Sequence, residues 1–108
     1  MKDTVVYEPP RRTEKSPEDV VLTGLLFAWR NGQPVLVHVI GSLQFHLFLF
    51  DSAEKLREEL ASIGAAFDSI KQVDDGPEFL ASIPPEIVVA LNLHHTKEGK
   101  VRYTQVLR

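Results

Sequence analysis

The chain has 108 residues, 44% of them hydrophobic, with no cysteine and a formal net charge of −3. That length is one domain, and that apolar content is enough for a core without disulfide staples. Twelve basic against fifteen acidic side chains leave no basic stripe, which argues against a general nucleic-acid binder working by counterion release.

No apolar run approaches the roughly 20 residues of a membrane helix. Residues 1–10 lack the apolar centre of a signal peptide. A cytoplasmic protein without membrane contact is therefore expected. Residues 1–17 read as an N-terminal extension, extended or flexible. Pro9-Pro10 blocks helix and favours a polyproline II path, while Thr4-Val5-Val6-Tyr7 suits an edge strand. Arg11, Arg12 and Lys15, interrupted by Glu14, read as a solvent-facing tail. Residues 18–108 read as a single α+β domain.

The stretch from Val20 to Arg30 is apolar and partly β-branched. Asn31-Gly32 follows, and both residues tolerate the positive φ of a type I′ hairpin turn. Gln33 to Ile40, the turn Gly41-Ser42, and Leu43 to Phe50 complete a three-stranded antiparallel meander. A helix from 17 to about 29 competes, because Ser16-Pro17-Glu18-Asp19 has the make-up of a helix start. Gly24 and the valines favour strand.

Residues 52–63 are expected to be the main helix. Asp51 or Ser52 caps it, with Glu54 three residues after Asp51 as in a capping box. Ala53, Leu56, Leu60 and Ile63 form one stripe, Glu54, Lys55, Glu58 and Glu59 cover the other side, and Gly64 ends the helix. Ser69 to Val73 suits a short strand. A short helix over 77–83 starts at Asp75-Gly76-Pro77 and stops at Pro84-Pro85.

Ile87 to Thr96 and Lys100 to Leu107 flank Lys97-Glu98-Gly99, the pattern of a three-residue hairpin loop with a bulge at Gly99. That register pairs Thr96 with Lys100, His94 with Arg102, Leu93 with Tyr103 and Asn92 with Thr104. Alternation then gives a core face of Ile87, Val89, Leu91, Leu93, Val101, Tyr103 and Leu107. The wet face carries Asn92, His94, Lys100, Arg102 and Thr104. Of these, Asn92, His94, Arg102 and Thr104 are the candidate contact surface. They gather donors, acceptors and a planar guanidinium, which suits an anionic or polar partner group.

Catalytic and cofactor chemistry finds no foothold. His38 and His46 fall on opposite strand faces, as do the adjacent His94 and His95, so a shared metal site is not expected. There is no Gly-rich phosphate loop and no nucleophile elbow. Asp74-Asp75 before Gly-Pro reads as a helix cap. Phe27 and Trp29, beside a hairpin tip, are a core pair or a recognition surface. No enzyme activity, metal or cofactor is expected.

Phe48-Leu49-Phe50-Asp51-Ser52-Ala53-Glu54-Lys55-Leu56-Arg57 resembles the strand-to-helix junction of SseB-type (enhanced serine sensitivity) domains, L-P-V-F-T-S-E-E-x-L-R. Ile87-Val88-Val89-Ala90-Leu91-Asn92 resembles that family's apolar strand ending in Asn. The Pro before the Phe and the Pro after the Asn are missing. The resemblance implies an accessory or interaction module and carries over no catalytic residue.

The expected fold is thus a two-layer α+β domain, with a mostly antiparallel sheet of five or six strands, the main helix 52–63 and the short helix 77–83. Phe45, Leu47 and Leu49 face one side of their strand, and Phe48 and Phe50 the other. One long helix covers only one side, so the second face is expected to need the N-terminal arm, a protein partner or a second copy in a homodimer. The expected function is a non-catalytic interaction or regulatory module. The alternative is a small-ligand-binding domain with its pocket between sheet and helix.

Overall fold

The computed structural model describes residues 11–15, 20–39, 43–95 and 101–107. The elements run β1 (Arg11–Lys15), β2 (Leu26–Arg30), β3 (Gln33–Pro34), β4 (Val37–His38), β5 (Phe45–Leu49), α1 (Ala53–Ser62), β6 (Ser69–Gln72), α2 (Gly76–Ser82), β7 (Val88–His95) and β8 (Val101–Val106). The class is α+β, as the sequence indicates. The expected single sheet is two. A five-stranded sheet has the order β1-β8-β7-β5-β4, and a three-stranded sheet the order β3-β2-β6. The β1–β8 and β5–β7 pairs are parallel and the rest antiparallel. The expected edge strand Thr4 to Tyr7 lies outside the described residues, among which β1 and β4 are the edges of the large sheet.

The expected meander is divided between these sheets. Asn31 and Gly32 both take positive φ, 53° and 80°, and turn β2 into β3 as a type I′ hairpin does. Pro34 falls at a non-hydrogen-bonded pair opposite Trp29, so its missing N–H leaves the ladder intact, and the Val35 N–H still donates to the Ala28 carbonyl at 3.0 Å. The chain then crosses to the large sheet, where β4 pairs with β5. Residues 40–42 of the second turn lie outside the described residues. The other edge of β2 is taken by β6, with Leu26 opposite Gln72 and Trp29 opposite Ser69. Because β2 is a strand and Thr23-Gly24 a turn, the competing helix to residue 29 does not form. Leu26 and Phe50 exchange both backbone hydrogen bonds, at 2.7 and 2.8 Å, and tie the small sheet to the end of β5.

α1 begins at Ser52, whose hydroxyl accepts from the Lys55 N–H at 3.1 Å. With Ser52 as the cap, the third helical position is Lys55, so the box expected from Asp51 and Glu54 is not made. The helix closes in a Schellman motif. Gly64 (φ 74°) donates to the Ala61 carbonyl at 3.1 Å, and Ala65 to Leu60 at 2.9 Å. The stripe Leu56, Leu60 and Ile63 is buried, while Glu54 and Glu58 are exposed.

Two apolar cores lie on the two faces of the large sheet. In the first, α1 packs on Phe48 and Phe50 of β5, Ala90 and Leu93 of β7, and Val101 and Tyr103 of β8. The second holds Leu47 and Leu49, Val89 and Leu91, and Val106, under Phe27, Leu22 and Val73, with Phe79, Leu80 and Ile83 of α2 packed against it. The chain therefore covers its own second face with β2 and α2, where the N-terminal arm, a partner or a second copy is expected. The missing cover is supplied by β2 and α2, which the sequence places in a meander and in an isolated short helix.

The last hairpin also departs from expectation. His94 does pair with Arg102, but Leu91 pairs with Thr104, with a register shift between Leu91 and His94. Neither Asn92 opposite Thr104 nor Leu93 opposite Tyr103 survives. Asn92 lies in the shift with φ 58°, an extra residue that carries Leu93 to the opposite face from Val89 and Leu91. The expected core face is thus shared between the two cores, and Leu107 is exposed rather than buried. The proposed pairing of Thr96 with Lys100 and the bulge at Gly99 lie outside the described residues.

Asn92→Val is expected to cost about 1–3 kcal/mol, because a β-branched residue is strained at positive φ, whereas Asn92→Gly is close to neutral. Urea denaturation checks this, and equal costs for the two variants would dismiss the bulge.

Candidate functional site

Of the four polar residues picked from the sequence, His94 and Arg102 stand opposite each other, while Asn92 falls in the bulge and Thr104 lies opposite Leu91. Asn92 and His94 are exposed on β7, while Arg102 and Thr104 are half-buried on β8. His94 Nδ1 lies 2.9 Å from the Asn92 carbonyl, which can only accept, so Nδ1 carries the hydrogen and the bulge fixes the ring. Lys100 lies outside the described residues.

His46 is buried at 1% exposure. Its Nδ1–H donates to the Gln44 carbonyl at 3.2 Å, and its Nε2 meets the Tyr103 hydroxyl at 3.1 Å. Its ring lies near-parallel to Phe48, with centroids 5.9 Å apart, and edge-on to Tyr103. A polar group so enclosed is tolerated because its nitrogens are bonded, and the contact with Tyr103 links β5 to β8 across the intervening β7. His38 is exposed, with its ring 5.8 Å from Phe45, on the face opposite His46. Asp75 caps α2, its Oδ1 accepting from the Glu78 N–H at 3.0 Å. Among the described residues no three His, Cys, Asp or Glu side chains converge. No helix of the described residues is long and apolar enough to cross a membrane.

Two cavities border α2. One, of about 570 Å³, is lined by residues 20–23 and by Gly76, Pro77, Leu80 and Ala81 of α2. Its one hydroxyl, on Thr23, already accepts from the Gly76 N–H at 2.8 Å, so little in it would orient a ligand.

The other is a groove of about 470 Å³ between the β2–β3 hairpin and α2, with Leu47 of β5 also lining it. Alternation along β2 sends Ala28 to the first core and puts Phe27 and Trp29 together on the groove side. Phe27 packs edge-on to Trp29 with centroids 6.2 Å apart, and against Phe79 at 5.1 Å. Phe79 and Ile83, four residues apart, bring α2 to the same wall, and Pro34, Leu36, Pro84 and Ile87 complete the lining. Lys71 of β6 sets its ammonium 4.6 Å from the Trp29 ring centroid and steadies the half-exposed indole.

The polar groups here are few. Ser82 is committed, its hydroxyl donating to the Phe79 carbonyl at 2.7 Å. The Trp29 indole N–H and the Gln33 side-chain amide have no hydrogen-bond partner among the described residues. Volume and lining match the usual small-ligand site, roughly 300–1,000 Å³ and mostly apolar with a few polar groups.

The sequence singled out Phe27 and Trp29 but not their partners. Phe79 and Ile83 carry a local signal, an apolar pair four apart on a capped helix. Leu36 and Leu47 carry none, because only the crossing from the small sheet to the large one brings them there. No family model, no curated protein and no solved structure matches this chain.

Proposed function

We propose that the chain is a non-catalytic binding module, and that its binding element is the aromatic groove between the β2–β3 hairpin and α2. The ligand class is a flat, largely apolar molecule carrying one hydrogen-bond acceptor. The observation that carries this is a half-exposed tryptophan set among Phe27, Leu36, Phe79 and Ile83, with its indole N–H free among the described residues. An aromatic surface left open to water is unfavourable unless something covers it, and the free N–H gives the covering group an orientation. The resemblance to SseB-type domains points to the same general class, an accessory module.

A second reading, contact with a protein or another copy of this chain, rests on a separate surface. Leu43 and Phe45 are exposed beside β4, a two-residue edge strand. Light scattering tests it.

The groove is tested by thermal shift with quinoline and 2-acetylnaphthalene, flat fragments that each carry one hydrogen-bond acceptor. A fragment at 100 times its Kd is expected to stabilise the native state by about 2.7 kcal/mol. Leu36→Glu, at the open rim, is expected to weaken the same fragments at least about tenfold, near 1.4 kcal/mol. Equal shifts in both proteins would place the binding elsewhere.

A further inference from the structure

Arg102 of β8 carries a charge that the described fold leaves uncompensated. Its Nε is buried with no hydrogen-bond partner. Among the described residues no Asp or Glu pairs with its guanidinium. The residue as a whole is only half-buried.

Its neighbours compound the imbalance. His94 is its register partner on β7, and Arg11 its register partner on β1. Three basic residues thus form one row across β7, β8 and β1, in a chain whose net charge is −3. The acidic residue of β1, Glu14, is the register partner of Gln105, so it lies outside the row. An unpaired buried donor costs more when it belongs to an ion.

We infer that this row is an oxyanion site, in which the Arg102 guanidinium receives a phosphate or carboxylate group. The planar fork matches the spacing of two such oxygens. His94 is held ready by the Asn92 bulge, since Nδ1 is committed to the Asn92 carbonyl and Nε2 has no partner among the described residues. In its imidazolium form that Nε2–H is a second donor to the anion. The site rests on different residues from the aromatic groove and does not depend on it.

The test is NMR on the nitrogen-15-labelled chain. The Arg102 Nε–H and the His94 amide are followed while inorganic phosphate, acetate or sodium chloride is added at matched ionic strength. Saturable shifts with phosphate or acetate and none with chloride are expected, weakened at least about tenfold in Arg102→Gln. Tighter phosphate than acetate assigns a phosphorylated ligand, and the reverse a carboxylate. Shifts equal to those with chloride, or unchanged in a folded Arg102→Gln, overturn the site. If Arg102→Gln does not fold, the wild-type comparison with chloride decides alone. Trp29 emission should stay constant throughout, which separates this site from the groove.

Discussion

Phe27→Ala is expected to lose about 3–5 kcal/mol, as truncation of a buried aromatic does. Phe27 is 6% exposed and lies in the second core, between Trp29 and Phe79 and close to Leu47 and Leu49. Its removal opens a void at the point where the small sheet, α2 and the large sheet meet. Since domains of this size hold only about 5–15 kcal/mol in total, such a loss leaves the native state marginal. Guanidinium unfolding followed by far-ultraviolet circular dichroism measures it. A loss under about 1 kcal/mol would mean that β2 does not cover the second face of the large sheet.

Leu56→Ala is expected to lose about 2–5 kcal/mol, and Glu58→Ala under about 0.5 kcal/mol. Leu56 has 0% exposure and packs α1 into the first core, while Glu58 faces water two residues along the same helix. The ratio matters more than either value, because it reads which side of α1 is inward. Similar losses for both would dismiss that orientation.

Local signals carried the elements of this fold, and long-range pairing carried its errors. Ser52, Gly64, Asp75 and the turn Asn31-Gly32 act within a few residues of themselves, so their roles follow from side-chain and backbone chemistry alone. The α1 stripe is legible because helical periodicity is local too. The partition into two sheets is not, because nothing in Leu26 to Arg30 says that its far edge is taken by Ser69 to Gln72. The same is true of the parallel pairing of β5 with β7, which makes β7 a central strand buried on both faces.

Asn92 shows how one residue undoes a sound register. Up to the His94–Arg102 pair the expected alignment holds, and the single positive φ at Asn92 then moves everything beyond it by one. Of the candidate surface, the His94–Arg102 pair keeps its register because it lies on the hairpin side of the shift, while Asn92 becomes the bulge residue itself. Thr104 keeps its strand but exchanges Asn92 for Leu91 as neighbour. The groove was half legible. Phe27 and Trp29 were visible as an aromatic pair, but their wall on α2 depends on how the second face is covered.

Trp29 is the only tryptophan in the chain, so its emission reports directly on the groove. The decisive measurement is titration of the folded protein with anilinonaphthalene sulfonate, following energy transfer from the indole to the dye. A binding groove predicts saturable one-to-one transfer in the wild type, weakened at least about tenfold in Leu36→Glu with near-ultraviolet circular dichroism unchanged. Transfer that is absent, or equally strong in Leu36→Glu, would contradict the assignment of the groove as the binding element.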